Sequence, residues 1–171
     1  MIPQRLLGEA LINSARINPS KTAIISKGKE YAYSLLKTSA ENLARHFIDA
    51  GITKGDRVAI YIENSWESIV AIYAVTLSGA VFLVINHQTK ADKLEYILND
   101  CGAKILVTSS VLKNELSYAL ENTKQISEVI VSGDPALVKK FPHFELKTFE
   151  NTISEEIRTV AFPNIIPNDL A

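Results

Sequence analysis

A doubly wound α/β domain, with a mostly parallel sheet flanked by helices, is the fold class this sequence predicts, and three observations carry the prediction. Apolar runs of strand length recur without alternation, as strands covered on both faces require. Val58–Ile62, Val81–Ile85 and Lys104–Thr108 are the clearest of them. Between them lie stretches whose apolar residues repeat at helical spacing. The connections are a few residues long, so each crossover should be right-handed and the strands parallel.

Each element has its own local justification. Arg5–Ile17 suits a short amphipathic helix ended by Asn18-Pro19, because the residue before proline disfavours helical backbone. Thr22–Ser26 and Glu30–Tyr33 are β-rich and form a hairpin through Lys27-Gly28-Lys29. Ser34 offers an N-cap to a helix carrying Leu36, Ala40, Leu43 and Phe47, and Gly51 stands where a left-handed terminal residue is needed. Asp56 leads into the strand Val58–Ile62. Asn64 and Glu67 resemble a capping box for a helix over Ser65–Ser78 that is apolar nearly all round and should be buried.

After the strand Val81–Ile85, Thr89 and Asp92 mark a helix start, Leu94, Ile97 and Leu98 supply its stripe, and it ends near Gly102. Lys104–Thr108 is the next strand, Ser110–Asn122 the next helix and Ser127–Ser132 the next strand. Beyond Gly133 the signals weaken. Asp134–Lys140 reads as a helical turn or two, Phe144–Phe149 as a late strand and Asn151–Arg158 as a short polar connection. Residues 1–171 therefore read as a single domain with its core over about 20–133 and a less regular 134–171.

Composition narrows the function classes. At 171 residues the chain should bury roughly 70% of its surface on folding, enough for a core without metals or disulfides. Its 18 Lys plus Arg against 19 Asp plus Glu lack the basic bias of a phosphate-tracking surface, which argues against nucleic acid as a partner. The lone Cys101 forbids an intrachain disulfide and multi-cysteine zinc patterns, and beside Gly102 at a helix end it reads as a small packed residue. Charges at Arg5, Glu9 and Arg16 exclude a secretory signal peptide, and the expected location is cytoplasmic. Ser68–Thr89 is long and uncharged, but Thr76, Ser78 and Gly79 interrupt it and its residue types switch from helix-compatible to β-branched. A buried helix followed by a buried strand, with no membrane span, is the reading.

Ligands of open α/β sheets bind beyond the carboxyl ends of the strands, here after Ile62, Ile85, Thr108 and Ser132. Those loops lack a glycine-rich phosphate signature, and the seven glycines are scattered as single turn or cap residues. A flavodoxin-like receiver or nucleotide-binding domain is disfavoured on the same ground. His46, His87 and His143 are too isolated to suggest a metal cluster. His46, among Glu41, Arg45 and Asp49, reads as a solvated surface histidine. His87 follows a strand end between Asn86 and Gln88, where a ligand contact and a plain loop-capping role both fit. Trp66, the only tryptophan, reads as packing, and Glu67 as a capping residue rather than half of a catalytic pair.

The order of segments says more than the loops do. Tyr33-Ser34-Leu35-Leu36, then Gly55-Asp56-Arg57-Val58-Ala59-Ile60, then Leu77-Ser78-Gly79-Ala80-Val81-Phe82 resemble, in sequence and in order, the N-terminal part of the adenylate-forming superfamily. Acyl-CoA and aryl-CoA synthetases, luciferases and the adenylation domains of peptide synthetases belong to it. The resemblance covers about residues 5–171. It departs where family members usually carry prolines, at Val84 and His87, which leaves that loop's conformation open.

The resemblance implies an ATP-dependent, AMP-forming acid–thiol ligase acting on fatty or other carboxylic acids, with ATP, Mg and coenzyme A as cofactors and coenzyme A or a carrier protein as acceptor. In that family the phosphate-holding loop follows a strand that should begin after Pro167-Asn168-Asp169-Leu170-Ala171, so the chain reads as an inactive N-terminal portion whose first partner is the remainder of the enzyme. A naturally short, non-catalytic interaction module is the alternative. Near the cofactor's nucleotide end the resemblance places Asn86, His87, Gln88 and Lys113, with a solvated helix position as the plainer reading of Lys113. No catalytic or metal-binding residue is expected in the chain. An exposed apolar face favouring self-association is expected as well.

Overall fold

The computed structural model describes residues 6–154, 160–166 and 169. Its elements run α1 (Leu7–Ile17), β1 (Thr22–Ser26), β2 (Lys29–Ala32), α2 (Tyr33–Asp49), β3 (Arg57–Tyr61), α3 (Trp66–Leu77), β4 (Val81–Val84), α4 (Ala91–Cys101), β5 (Ile105–Ser109), α5 (Lys113–Ala119), β6 (Glu128–Ser132), β7 (Glu145–Thr148) and α6 (Phe149–Ser154). Short 3-10 turns at Ser110–Leu112 and Pro135–Leu137 complete the set.

β1 and β2 pair antiparallel through a two-residue turn in which Lys27 and Gly28 both take positive φ, the backbone twist that suits a tight hairpin. The other five strands make one sheet in the order β4-β3-β5-β6-β7, parallel throughout. Alternate residues sort to its two faces. Val58, Ile60, Ile105, Val107 and Ile130 pack beneath α2 and α3, with Leu11 of α1 and Phe149 of α6 in the same core. Ala59, Tyr61, Leu106, Val129 and Val131 face the other way, onto Leu94 and Leu98 of α4 and Leu116 and Ala119 of α5. Two cores on one sheet make the layered α/β architecture.

The uncharged Ser68–Thr89 stretch is the end of α3 followed by β4, with a left-handed Gly79 (φ +74°) between them. Gly79 also meets Pro163, whose Cγ would lie 3.1 Å from an added Cβ, and its positive φ would strain any side-chain-bearing residue there. Among the described residues no helix is long and apolar enough to cross a membrane. Gly51 takes the expected left-handed conformation after α2, and Gly102, near which α4 was expected to end, is left-handed as well.

Several termini differ from the sequence expectation. Ser34 lies inside the first turn of α2, whose N-cap is Ala32. α3 is capped not by Asn64 and Glu67 but by Ser65 and Ser68, which exchange hydrogen bonds at 3.4 and 3.1 Å. Lys90, rather than Thr89, is the N-cap of α4. The expected helix Ser110–Asn122 is a 3-10 turn and the short α5, because Ser109 Oγ accepts the Val111 N–H at 3.2 Å and tightens the start. The expected polar connection from Asn151 is, as far as Ser154, part of α6; its remainder to Arg158 lies outside the described residues.

The Gly55-Asp56-Arg57 segment closes the amino end of the sheet. Asp56 accepts hydrogen bonds from the Thr53 N–H (2.8 Å), the Thr53 hydroxyl (2.9 Å) and Lys104 Nζ (2.7 Å), while Arg57 Nε donates to the Cys101 carbonyl at 2.7 Å. Burial by itself would raise the Asp56 carboxyl, but the Lys104 and Thr53 hydrogen bonds outweigh it and hold the group below the usual carboxylate range. A carboxylate whose folded pKa is depressed contributes stability above its unfolded pKa of about 4 and loses it as pH falls through the lower folded value. Asp56→Asn, which mimics the protonated acid, should therefore cost about 1 kcal/mol at neutral pH after allowance for solvent screening. Urea titrations should show that gap closing as pH drops below about 4; a pH-independent gap would sink the account.

Candidate functional site

The strand order places the first strand of the sheet, β3, between the second, β4, and the third, β5, so the chain leaves β3 in opposite directions at successive crossovers. The crevice beyond the carboxyl ends of β3 and β5 is the usual ligand position in such sheets. Tyr61 ends β3 fully buried, and its hydroxyl donates to the Thr89 carbonyl at 2.8 Å. Burial, reinforced by the carboxylates of Glu115 and Glu63, pushes that phenol up to about 12. It is therefore a fixed proton donor at neutral pH, and it ties the loop after β4 to the centre of the sheet. Thr108, at the end of the neighbouring β5, donates its hydroxyl to the Tyr61 carbonyl at 2.7 Å.

The loop after β4 holds three of the sequence-derived candidates. Asn86 folds it, accepting the Gln88 N–H on Oδ1 at 2.9 Å and the Thr89 N–H on its carbonyl at 2.8 Å. Asn86 and Gln88 are exposed and His87 is half-buried. Asn86 thus performs the loop-closing job, leaving the ends of His87 and Gln88 outside it. The fourth candidate, Lys113, is exposed at the first position of α5.

These segments meet at a cleft of about 370 Å³ between the starts of α4 and α5, lined by Lys90, Ala91, Asp92, Asn114, Glu115 and Tyr118. Lys90 Nζ lies 3.6 Å from Glu115 Oε1. Asn86, His87, Gln88 and Lys113 do not line the cleft themselves; their neighbours along the chain do. Lys90, Glu115 and Tyr118 were not found by sequence reasoning, since the two walls are 25 residues apart and neither carries a motif.

Other sequence expectations resolve as follows. Trp66 is buried and stacks on Tyr31, ring centroids 4.1 Å apart and planes within 11°, so it is a packing residue. Cys101 is half-buried at the end of α4, and burial raises its thiol, the opposite of what a reactive cysteine needs. His46 is not a solvated residue: its Nε2 lies 2.6 Å from Glu128 Oε1, with the two side chains 17% and 7% exposed. Among the described residues no group of three or more His, Cys, Asp or Glu could hold a metal ion.

Known proteins resemble the chain in sequence over about two thirds of its length and in fold over nearly all of it. It is 27% identical over 116 residues to the medium/long-chain-fatty-acid–CoA/3-oxocholest-4-en-26-oate–CoA ligase of Mycobacterium marinum, a match covering 68% of this chain and 21% of that protein. It is 33% identical over 108 residues to phosphinothricin tripeptide synthetase PhsC of Streptomyces viridochromogenes, covering 63% of this chain and 10% of the synthetase. The chain thus spans about a fifth or less of the length of these relatives. The coronafacic acid ligase of Pectobacterium brasiliense superposes on 95% of the chain with a TM-score of 0.83, over 32% of its own length and at 20% identity, which shows a shared fold. The family model of AMP-binding enzymes matches residues 11–171. With the sheet, its connections and this match in agreement, the chain belongs to the AMP-binding enzyme family.

Proposed function

We propose that this chain is the N-terminal portion of an ATP-dependent, AMP-forming ligase that works in the cytoplasm and activates a carboxylic acid as its acyl-adenylate. In the first step a carboxylate oxygen attacks the α-phosphorus of ATP and pyrophosphate leaves. In the second a thiolate, of coenzyme A or a carrier protein, attacks the acyl carbon and AMP leaves. The observation that carries the reading is the match of residues 11–171 to AMP-binding enzymes, and the fatty-acid ligase among the relatives favours fatty or related acids.

The part assigned to these residues is support and positioning. The sheet supplies a rigid base, and the cleft beside Asn86, His87, Gln88 and Lys113 is on the thiol-cofactor side. Lys113 and Lys90 there present ammonium groups that suit phosphate as point charges. The adenylation step belongs to residues outside this chain.

Labelled pyrophosphate exchange into ATP, run with a panel of carboxylic acids, should show no exchange by the 171-residue chain alone. Exchange would overturn the division of labour. Coenzyme A titrated into isotope-labelled chain should shift amide resonances weakly, at roughly millimolar affinity, and the shifts should centre on 86–90 and 113–118. Shifts elsewhere, or none, would remove the cofactor-side assignment.

A further inference from the structure

Tyr61 ends β3, an interior strand, with its side chain fully buried in the core that holds Leu94, Leu98 and Leu116. Phenylalanine would fill the same space, and a buried hydroxyl destabilises a core unless it is bonded. The hydroxyl therefore needs an account beyond packing, and its partner supplies one. It donates not to a neighbouring strand but to the Thr89 carbonyl, 2.8 Å away and 28 residues along the chain.

The turn that receives this bond is closed by bonds of its own. Gln88 and Thr89 donate their N–H groups to the side chain and the carbonyl of Asn86, and both bonds stay inside the turn. α4 follows at once, and its N-cap, Lys90, makes no side-chain cap bond, so no cap fixes where the helix begins. The Lys90 carbonyl accepts the Leu94 N–H at 2.8 Å, the first bond of the helix. Thr89 is thus the joint between a self-contained turn and an uncapped helix. Tyr61, by contrast, stands on a strand paired with β4 on one side and β5 on the other, and Thr108 clamps its carbonyl at 2.7 Å. The phenol carries the rigidity of the sheet to the joint. Beyond the joint is a wall of the cleft, where Lys90 reaches to within 3.6 Å of Glu115 on α5. Glu115 is also near enough to Tyr61 to help raise its phenol, so the phenol is close to both walls.

We propose that Tyr61 is a positioning residue for the thiol cofactor: its hydroxyl, through the Thr89 carbonyl, fixes the 86–90 turn and sets Lys90 across the cleft from Glu115. The role rests on the cofactor-side reading of that cleft. A fully buried phenol is out of a ligand's reach, so Tyr61 acts through the turn. An ammonium whose backbone is held in place binds a phosphate better than one on a loose turn, because less ordering remains for the ligand to impose.

Tyr61→Phe removes the hydroxyl and keeps the ring. In the isotope-labelled 171-residue chain, the amides of Gln88, Thr89 and Leu94 should exchange roughly three- to tenfold faster, the range that one hydrogen bond spans. Coenzyme A titrated into the same sample should bind more weakly by a similar factor. Trp66→Phe, a core change on the opposite face of the sheet, separates positioning from general loss of stability. It should leave coenzyme A affinity within about twofold of the parent. A third readout needs no variant: in the parent, the Tyr61 Cζ resonance should move with the turn amides as coenzyme A binds. A Cζ signal that stays still while the turn shifts overturns the role, even if Tyr61→Phe fails to fold. So does unchanged exchange or unchanged affinity in Tyr61→Phe, or an equal loss of affinity in Trp66→Phe. Those failures leave the cofactor-side reading standing. A parent chain that binds no coenzyme A removes that reading itself, and the role with it.

Discussion

Trp66→Ala should cost about 3–5 kcal/mol, the range for removing a large buried aromatic side chain. Trp66 opens α3, is 6% exposed and lies in the core shared by α2, α3 and the upper face of the sheet. Its ring is stacked on Tyr31 of β2, so it is also the clasp that holds the two-stranded hairpin to the helical layer. A hairpin of four or five residues a strand does not hold together alone. Loss of the indole should therefore show first as rapid amide exchange across β1 and β2, and then as a lower urea midpoint for the whole domain. Trp66→Phe keeps a stacked ring and should recover more than half of the loss, since aromatic pairing is worth about 0.5–1.5 kcal/mol beyond burial. Equal damage from Phe and Ala would mean that the stack contributes nothing.

The central strands β3, β5 and β6 were legible because each is a continuous apolar run covered on both faces, by α2 and α3 on one side and α4 and α5 on the other. Val58–Ile62 is offset from β3 by one residue, and Val81–Ile85 runs one residue past the end of β4. Caps were less legible, for a reason visible at α3. Asn64-x-x-Glu67 and Ser65-x-x-Ser68 are interleaved in the same string, and the choice depends on which residue adopts extended backbone; Ser65 does, at φ −150°, ψ 172°. α6 was hidden differently. Its hydroxyls make it look like a loop, but Thr152 and Ser154 bond back to the carbonyls of Thr148 and Glu150, both at i−4, and only Phe149 and Thr152 need to be buried.

The segments that carry the family resemblance mostly build the end of the sheet away from the ligand crevice. Gly55-Asp56-Arg57 ties β3 to Thr53, Cys101 and Lys104, and Gly79 turns α3 into β4. That explains how the family could be named while the site stayed thin. Asn86–Gln88 entered as candidates because a loop at the carboxyl end of a strand is a general ligand position. The cleft beyond it depends on Lys90 approaching Glu115, a tertiary coincidence of two helices with no local signal.

The same limit governs the second large effect, at His46. Its neighbours Glu41, Arg45 and Asp49 suggested a solvated helix face, but its partner, Glu128, is 82 residues away at the start of β6. His46→Ala should destabilise the domain by about 3 kcal/mol, because a carboxylate 7% exposed is left without its hydrogen-bond partner. Most of that penalty belongs to the stranded acid rather than to the lost contact. Glu128→Gln, neutral and still able to bond the imidazole, should cost about 1 kcal/mol or less. Replacing both partners, as His46→Leu with Glu128→Leu, should come within about 1 kcal/mol of the parent. Urea midpoints of the parent, His46→Leu, Glu128→Leu and the double variant form a double-mutant cycle whose coupling energy isolates the pair. If His46→Ala and the double variant were equally destabilised, the cost would lie in lost packing between α2 and β6, and the buried pair would not be what fastens the helix to the sheet.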